Sequence, residues 1–198
     1  MDSAELCRVL DRRLGEFLSP ERAAHSRRVA ELSATLCARE GIDASRGRAA
    51  GLAHDMCKEM SRKSQRELTS FFLGTAPFDS ASGALMADKV VHGPAAAALL
   101  ARDFSVSDRG ILDAVALHTL GKPGMGDLAA VIYCADKLEP GRARLDDGYR
   151  DRCLELPLDE MLLAVVAGVI GWMRGQGKAV APETMILYST LVREADKL

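Results

Sequence analysis

The sequence predicts an all-α protein, and three observations carry that prediction. Aromatic residues are only 5% of the 198 positions, with a single Trp, so the core must come mostly from Leu, Ala, Val, Ile and Met, a composition suited to packed helices rather than a β-sandwich. Apolar residues recur at intervals of three and four, the period of an amphipathic helix. No hairpin signature or regular strand alternation competes with that period.

The helices follow in order. Residues 3 to 18 set Leu6, Val9, Leu10, Leu14, Phe17 and Leu18 at helical spacing, then Ser19 and Pro20 supply a cap and a first-turn proline for a second helix. Val29, Leu32 and Leu36 carry that helix through Glu40, where Gly41 ends it; Asp43 caps a third helix reaching about Lys58. The charged stretch from Lys58 to Glu67 and the segment Phe71 to Gly83 have weaker periodicity, and Gly74, Pro77 and Gly83 predict loops or short helices there. From Gly93 an alanine-rich helix runs to about Arg102, with Pro94 at a permitted early position. Ser107 and Asp108 start the next, which carries Ile111, Leu112, Val115 and His118 and ends near Gly121. After the turn-rich GKPGMG segment, Asp127 opens a helix with Leu128, Val131, Ile132, Ala135 and Leu138, stopped by Pro140 and Gly141. A final pair occupies 158–174 and 182–196. The length suits one domain over residues 1–198 with a substantial core.

Composition excludes several function classes. Against 28 Asp plus Glu stand 26 Lys plus Arg, a formal charge of −2, which offers no global attraction to nucleic acid or to an anionic membrane. The charged first 16 residues contain no signal-peptide core, and the apolar run from Met161 to Trp172 is too short to cross a bilayer. A cytoplasmic protein is expected. Five cysteines without a Cys-x-x-Cys pair argue against a disulfide framework and thiolate zinc modules; they read as apolar fillers, Cys57 being the one whose surroundings suggest reactivity. No phosphate loop or dinucleotide fingerprint is present.

Chemistry concentrates around the four histidines. His54 and Asp55 adjoin in GLAHDMCK, with Lys58 about one turn beyond. His25 shares a broad helical face with Val29, Leu32 and Leu36, His118 follows Ile111 and Val115, and Asp136 follows Ile132 on an apolar helix. An imidazole or carboxylate facing a core requires polar partners: an internal hydrogen bond, a salt bridge or a cation. His92 at a loop–helix junction reads as exposed when taken alone. Together His25, His54, Asp55, His92, His118 and Asp136 offer nitrogen and oxygen donors suited to one or two divalent transition metals; six donors suit a dinuclear site bridged by a carboxylate better than a single zinc site.

The segments RAAHSRRVAELS from Arg22, AAGLAHDMCKE from Ala49, VVHGPAAAALL from Val90, ILDAVALHTLGKPGM from Ile111 and VIYCADKLEPGR from Val131 resemble the HD superfamily of metal-dependent phosphohydrolases. Within it, their order and spacing are most similar to the YqeK-type symmetrical dinucleoside tetraphosphatases, over residues 20–190 including C-terminal support helices. The resemblance implies a compact multi-helix metallohydrolase fold and symmetrical cleavage of diadenosine tetraphosphate to two ADP by a metal-activated water. It implies two metals, iron foremost, with Mn, Ni, Co or Zn as alternatives. His25, His54, Asp55 and Asp136 match one metal group, Asp55 a bridge, and His92 and His118 the second metal. Leu120 stands where family members often have Thr, and Lys122 where Arg is common.

Within that resemblance Asp55, Lys58, His92 and Arg142 are the candidate catalytic residues. Lys58 and Arg142 are the leading phosphate ligands, with Lys122 and Arg27 secondary; Lys137 and Glu139 are candidates to support the metal ligands. The expected partner is a small dinucleoside polyphosphate, with no nucleic acid and no membrane; a homodimer is left open. A broader HD nucleotide phosphohydrolase and a noncatalytic helical nucleotide-binding module are the alternatives, because substrate choice is set by walls and cationic contacts outside the metal ligands.

Overall fold

The computed structural model describes residues 1–72, 90–142 and 145–197, with residues 71 and 72 as backbone alone. Among them are ten α-helices and no strand: α1 (Ser3–Arg13), α2 (Pro20–Arg39), α3 (Ala44–Ala53), α4 (Arg62–Phe72), α5 (His92–Asp103), α6 (Arg109–Leu117), α7 (Asp127–Leu138), α8 (Asp147–Glu155), α9 (Leu158–Gly175) and α10 (Pro182–Ala195). The all-α expectation holds. The predicted caps are in place: Ser19 Oγ accepts from Arg22 N at 3.4 Å, Asp43 Oδ1 from Ser45 N at 2.8 Å and Asp108 Oδ1 from Ile111 N at 3.2 Å, each satisfying an N–H that the first helical turn leaves unpaired.

Several elements differ from expectation in extent or in kind. The first helix stops at Arg13 and continues as a 3₁₀ turn over Leu14–Glu16. The charged stretch after Lys58, where loops or short helices are expected, forms α4, and a buried polar residue anchors it: Gln65 donates from Nε2 to the carbonyls of Cys57 at 2.7 Å and Met60 at 3.1 Å. Helix α8 has one buried residue, Cys153, so it leaves no hydrophobic stripe to read; Asp146 caps it, accepting from Tyr149 N at 2.8 Å. The loop expectations at Gly74, Pro77 and Gly83 lie outside the described residues.

Glycines set the approach distances that assemble the site. A Cβ on Gly51 would lie 2.6 Å from Ala30 Cα, and one on Gly47 would lie 2.8 Å from the Ser33 carbonyl oxygen, so α3 seats against the backbone of α2 only because neither residue has a side chain. Likewise a Cβ on Gly93 would meet the Ala116 carbonyl oxygen at 2.9 Å, which lets the start of α5 close on the end of α6. Helix α7 is buried on nearly all sides, with ten of its twelve residues buried, Asp136 among them, as expected of a central helix. It packs against α2, α3, α6 and α9. These approaches converge the ends of α3, α6 and α7, the start of α5 and the first half of α2 on one point.

Candidate metal centre

The helix expected to reach Lys58 ends at Ala53, and three-residue turns continue from it: Met56 N donates to Ala53 O at 3.0 Å, and Lys58 N to Asp55 O at 2.7 Å. With three residues per turn, side chains i and i+3 eclipse, which sets Lys58 Nζ 3.6 Å from Asp55 Oδ1. The tighter winding also sends His54 and Asp55 inward together; they are 0% and 2% exposed.

Asp55 is central. Its Oδ1 lies 3.1 Å from His92 Nε2 and 3.5 Å from His118 Nε2, whereas its Oδ2 lies 4.0 Å from His25 Nε2 and 3.7 Å from His54 Nε2. Asp136 closes the second group, with Oδ1 at 3.1 Å from His25 Nε2 and 3.7 Å from His54 Nε2. Two overlapping sets of donor atoms each lie within 4.8 Å: His25, His54 and Asp136, and His54, Asp55 and His118. His92, which alone reads as exposed, is fully buried, with Nε2 3.1 Å from His118 Nε2. All six predicted residues come together.

The donor chemistry fits cations. His54 Nδ1 donates to Gly51 O and His118 Nδ1 to Val115 O, both at 2.7 Å, which leaves each Nε2 with its lone pair facing the cluster. Among the described residues, the buried His25 Nε2 and His54 Nε2 make no hydrogen bond, an arrangement that costs free energy unless a ligand takes those atoms. Burial pushes His118 down to about 3 and also lowers His54, so both imidazoles are neutral at pH 7. Burial opposes ionisation of Asp55, yet His54, His118 and His92 hold its carboxyl well below the usual carboxylate range; Lys137 and His25 do the same for Asp136 against its burial. Neutral imidazoles and ionised carboxylates are the protonation states in which these groups ligate metals.

Around the donors stand protein cations. Lys58 Nζ is 3.0 Å from His92 Nε2, and Arg142 donates to the Asp136 main-chain oxygen at 2.9 Å and through Nη2 to Oδ1. Lys58 and Arg142 therefore border the cluster, each with about a third or more of its side chain exposed. Lys137, half-buried, reaches Asp136 Oδ2 at 3.2 Å and the His118 carbonyl. Glu139, 1% exposed, accepts from His25 Nδ1 at 3.0 Å.

The structure does not bring Arg27 or Lys122 to this cluster. Arg27 points to solvent, with Nε 2.7 Å from Asp11 Oδ1, because two residues along a helix is a 200° rotation away from His25. Lys122 is exposed after α6, where its charge acts on Asp113. Arg22, Arg28 and Thr119, which are not among the sequence-predicted site residues, also reach the cluster or its support. Arg22 Nη1 lies 3.1 Å from Asp55 Oδ2, Arg28 holds Glu139, and Thr119 Oγ1 sits 3.1 Å from His118 Nε2. Steps of three from His25 give Arg22 and Arg28, so helical spacing along RAAHSRR carried that signal. Cys57 is fully buried and its thiol is pushed up to about 12 by burial, which fits the filler reading.

Residues 22–141 match the family model described as HD domain. A Bacillus subtilis (strain 168) protein named bis(5'-nucleosyl)-tetraphosphatase, symmetrical, is 29% identical over 175 residues, spanning 88% of this chain and 91% of the relative. A Staphylococcus aureus protein of the same name is 32% identical over 128 residues, spanning 64% of this chain and 63% of its own length. A crystal structure from Clostridium acetobutylicum, described as a predicted HD superfamily hydrolase involved in NAD metabolism, superposes with a TM-score of 0.81 at 25% identity, over 94% of this chain and 97% of that one. The matched span covers more than half of the sequence and contains all six clustered histidines and aspartates, and the chain belongs to the HD domain family of metal-dependent phosphohydrolases.

Proposed function

We propose that this enzyme hydrolyses diadenosine tetraphosphate in the middle of its phosphate chain, releasing two ADP. The observation that carries the reading is the Asp55 carboxylate, whose two oxygens face different imidazole pairs as a bridge between two cations requires. The names of the Bacillus and Staphylococcus relatives support the substrate.

His25, His54 and Asp136 would hold one divalent cation, His92 and His118 the other, and Asp55 would bridge them. Two cations there would neutralise phosphoryl oxygens and lower the pKa of water. Lys58 and Arg142, at the edge of the cluster, bind the phosphate chain, where repulsion of an incoming nucleophile must be offset. Arg142 orients a phosphate by its planar fork, and Lys58 supplies a compact charge. Water oxygen joins one of the two central phosphorus atoms while its bond to the bridging oxygen breaks, so each half leaves as ADP. Iron is our first choice of metal; manganese, nickel, cobalt and zinc suit the same nitrogen and oxygen donors. We further place the enzyme in the cytoplasm, acting on a small molecule rather than nucleic acid, as one domain over residues 1–198 with the hydrolase region at 20–190.

A metal-defined activity panel tests the reading: diadenosine tetraphosphate, related dinucleotides and mononucleotides, each followed by product analysis. Two ADP from the tetraphosphate are expected. AMP plus ATP, or preferred hydrolysis of mononucleotides, would overturn it.

A further inference from the structure

The imidazoles of this centre are not all held in the same way. His54 and His118 each fix Nδ1 on a carbonyl three residues back in their own helix, a neutral and local restraint. His25 instead gives Nδ1 to Glu139, a carboxylate 114 residues away in the sequence and just past the end of α7. Glu139 is itself firmly held: Arg28 Nε donates to Oε2 at 2.6 Å, and Gly141 N donates to the same oxygen at 2.6 Å. Arg28 lies one turn beyond His25 on α2, so α2 supplies both the imidazole and the cation that anchors its carboxylate partner.

A carboxylate on one imidazole nitrogen fixes the tautomer and makes the other nitrogen a stronger donor. Here the other nitrogen is the buried His25 Nε2, 3.1 Å from Asp136 Oδ1. The geometry points to Glu139 as a positioning residue that, anchored by Arg28, orients His25 and strengthens it as a ligand for the cation held by His25, His54 and Asp136, leaving the cation at His92 and His118 unaffected. This inference rests on the two-cation reading of the site.

Cobalt(II) titration of the metal-stripped full-length protein, followed by visible absorption and by metal analysis after dialysis, separates the two. Wild type is expected to take up two equivalents. Glu139→Ala should weaken one equivalent by about 10–100-fold and change its absorption band, with the second equivalent unchanged. Glu139→Gln keeps an acceptor oxygen and loses the charge, so it should fold and show a smaller loss at the same equivalent, which keeps the test decisive if the alanine variant misfolds. Two equivalents at wild-type affinity in the glutamine variant would overturn the role of Glu139. Wild type binding fewer than two would overturn the two-cation reading, and Glu139 would then be judged on whether its variants weaken what binds; no uptake by wild type would overturn both.

Discussion

Asp55 Oδ1, just past the end of α3, lies 3.1 Å from Nε2 of His92 at the start of α5, a residue 37 positions further along the sequence. Because Oδ2 of the same carboxylate faces His25 and His54, Asp55 and the imidazoles on one side should have separable effects. Asp55→Ala is expected to remove both cations and lower turnover by more than about 100-fold, beyond what loss of a supporting partner costs. His118→Ala is expected to leave one cation per chain. Metal analysis alongside turnover checks both; full occupancy and activity in Asp55→Ala would exclude the bridge.

Arg142 and Arg27 should behave oppositely. Arg142 borders the cluster, and a lost charged hydrogen bond to phosphate costs about 1.5–3 kcal/mol, so Arg142→Ala is expected to raise KM at least tenfold. Arg27 makes a surface pair with Asp11, of a kind that contributes little; Arg27→Ala should leave KM within about twofold. Steady-state kinetics on the pair of variants decides between them.

Gly51→Ala places a Cβ against the α2 backbone, which cannot swing aside as a flexible side chain would. Overpacking of this kind costs about 1–3 kcal/mol. Thermal unfolding should report a lower Tm, and because the insertion pushes α3 from α2, metal affinity should fall with it. An unchanged Tm and metal content would show that the two helices have slack.

Acid should destabilise the metal-stripped protein. His118 has a folded pKa near 3 against about 6.5 unfolded, so between those values the unfolded chain binds the extra proton. Its contribution is present above pH 6.5 and is lost as pH falls, amounting to about 2 kcal/mol at pH 5. The lowered carboxyls of Asp55 and Asp136 act in the same direction at lower pH. Denaturant midpoints at pH 7 and pH 5 check this, and a midpoint that rises on acidification would contradict it.

Helix boundaries were legible wherever the signal was local. Ser19, Asp43 and Asp108 cap the helices they announce, since a cap needs only its own first turn. Helix α8 was not legible, because it buries only Cys153, and α4 was legible only as a loop or short helix, because Gln65 gains its place from carbonyls of the preceding turns. The six clustered residues were legible as a set of donors. Rotation about α2 puts Arg22 and Arg28 on the side of His25 and Arg27 on the opposite side, a distinction that a list of basic residues does not carry.

By itself, then, the sequence determined the helical class, most helix starts and the identity of the donor residues, all of which follow from side-chain chemistry and short-range period. Tertiary structure decided which oxygen of Asp55 faces which imidazole, that His92 is buried and that His25 leans on Glu139. Those relations join residues up to 114 positions apart and are set by how closely α2, α3, α5 and α6 approach, which depends on packing at Gly51 and Gly93 that no local pattern encodes.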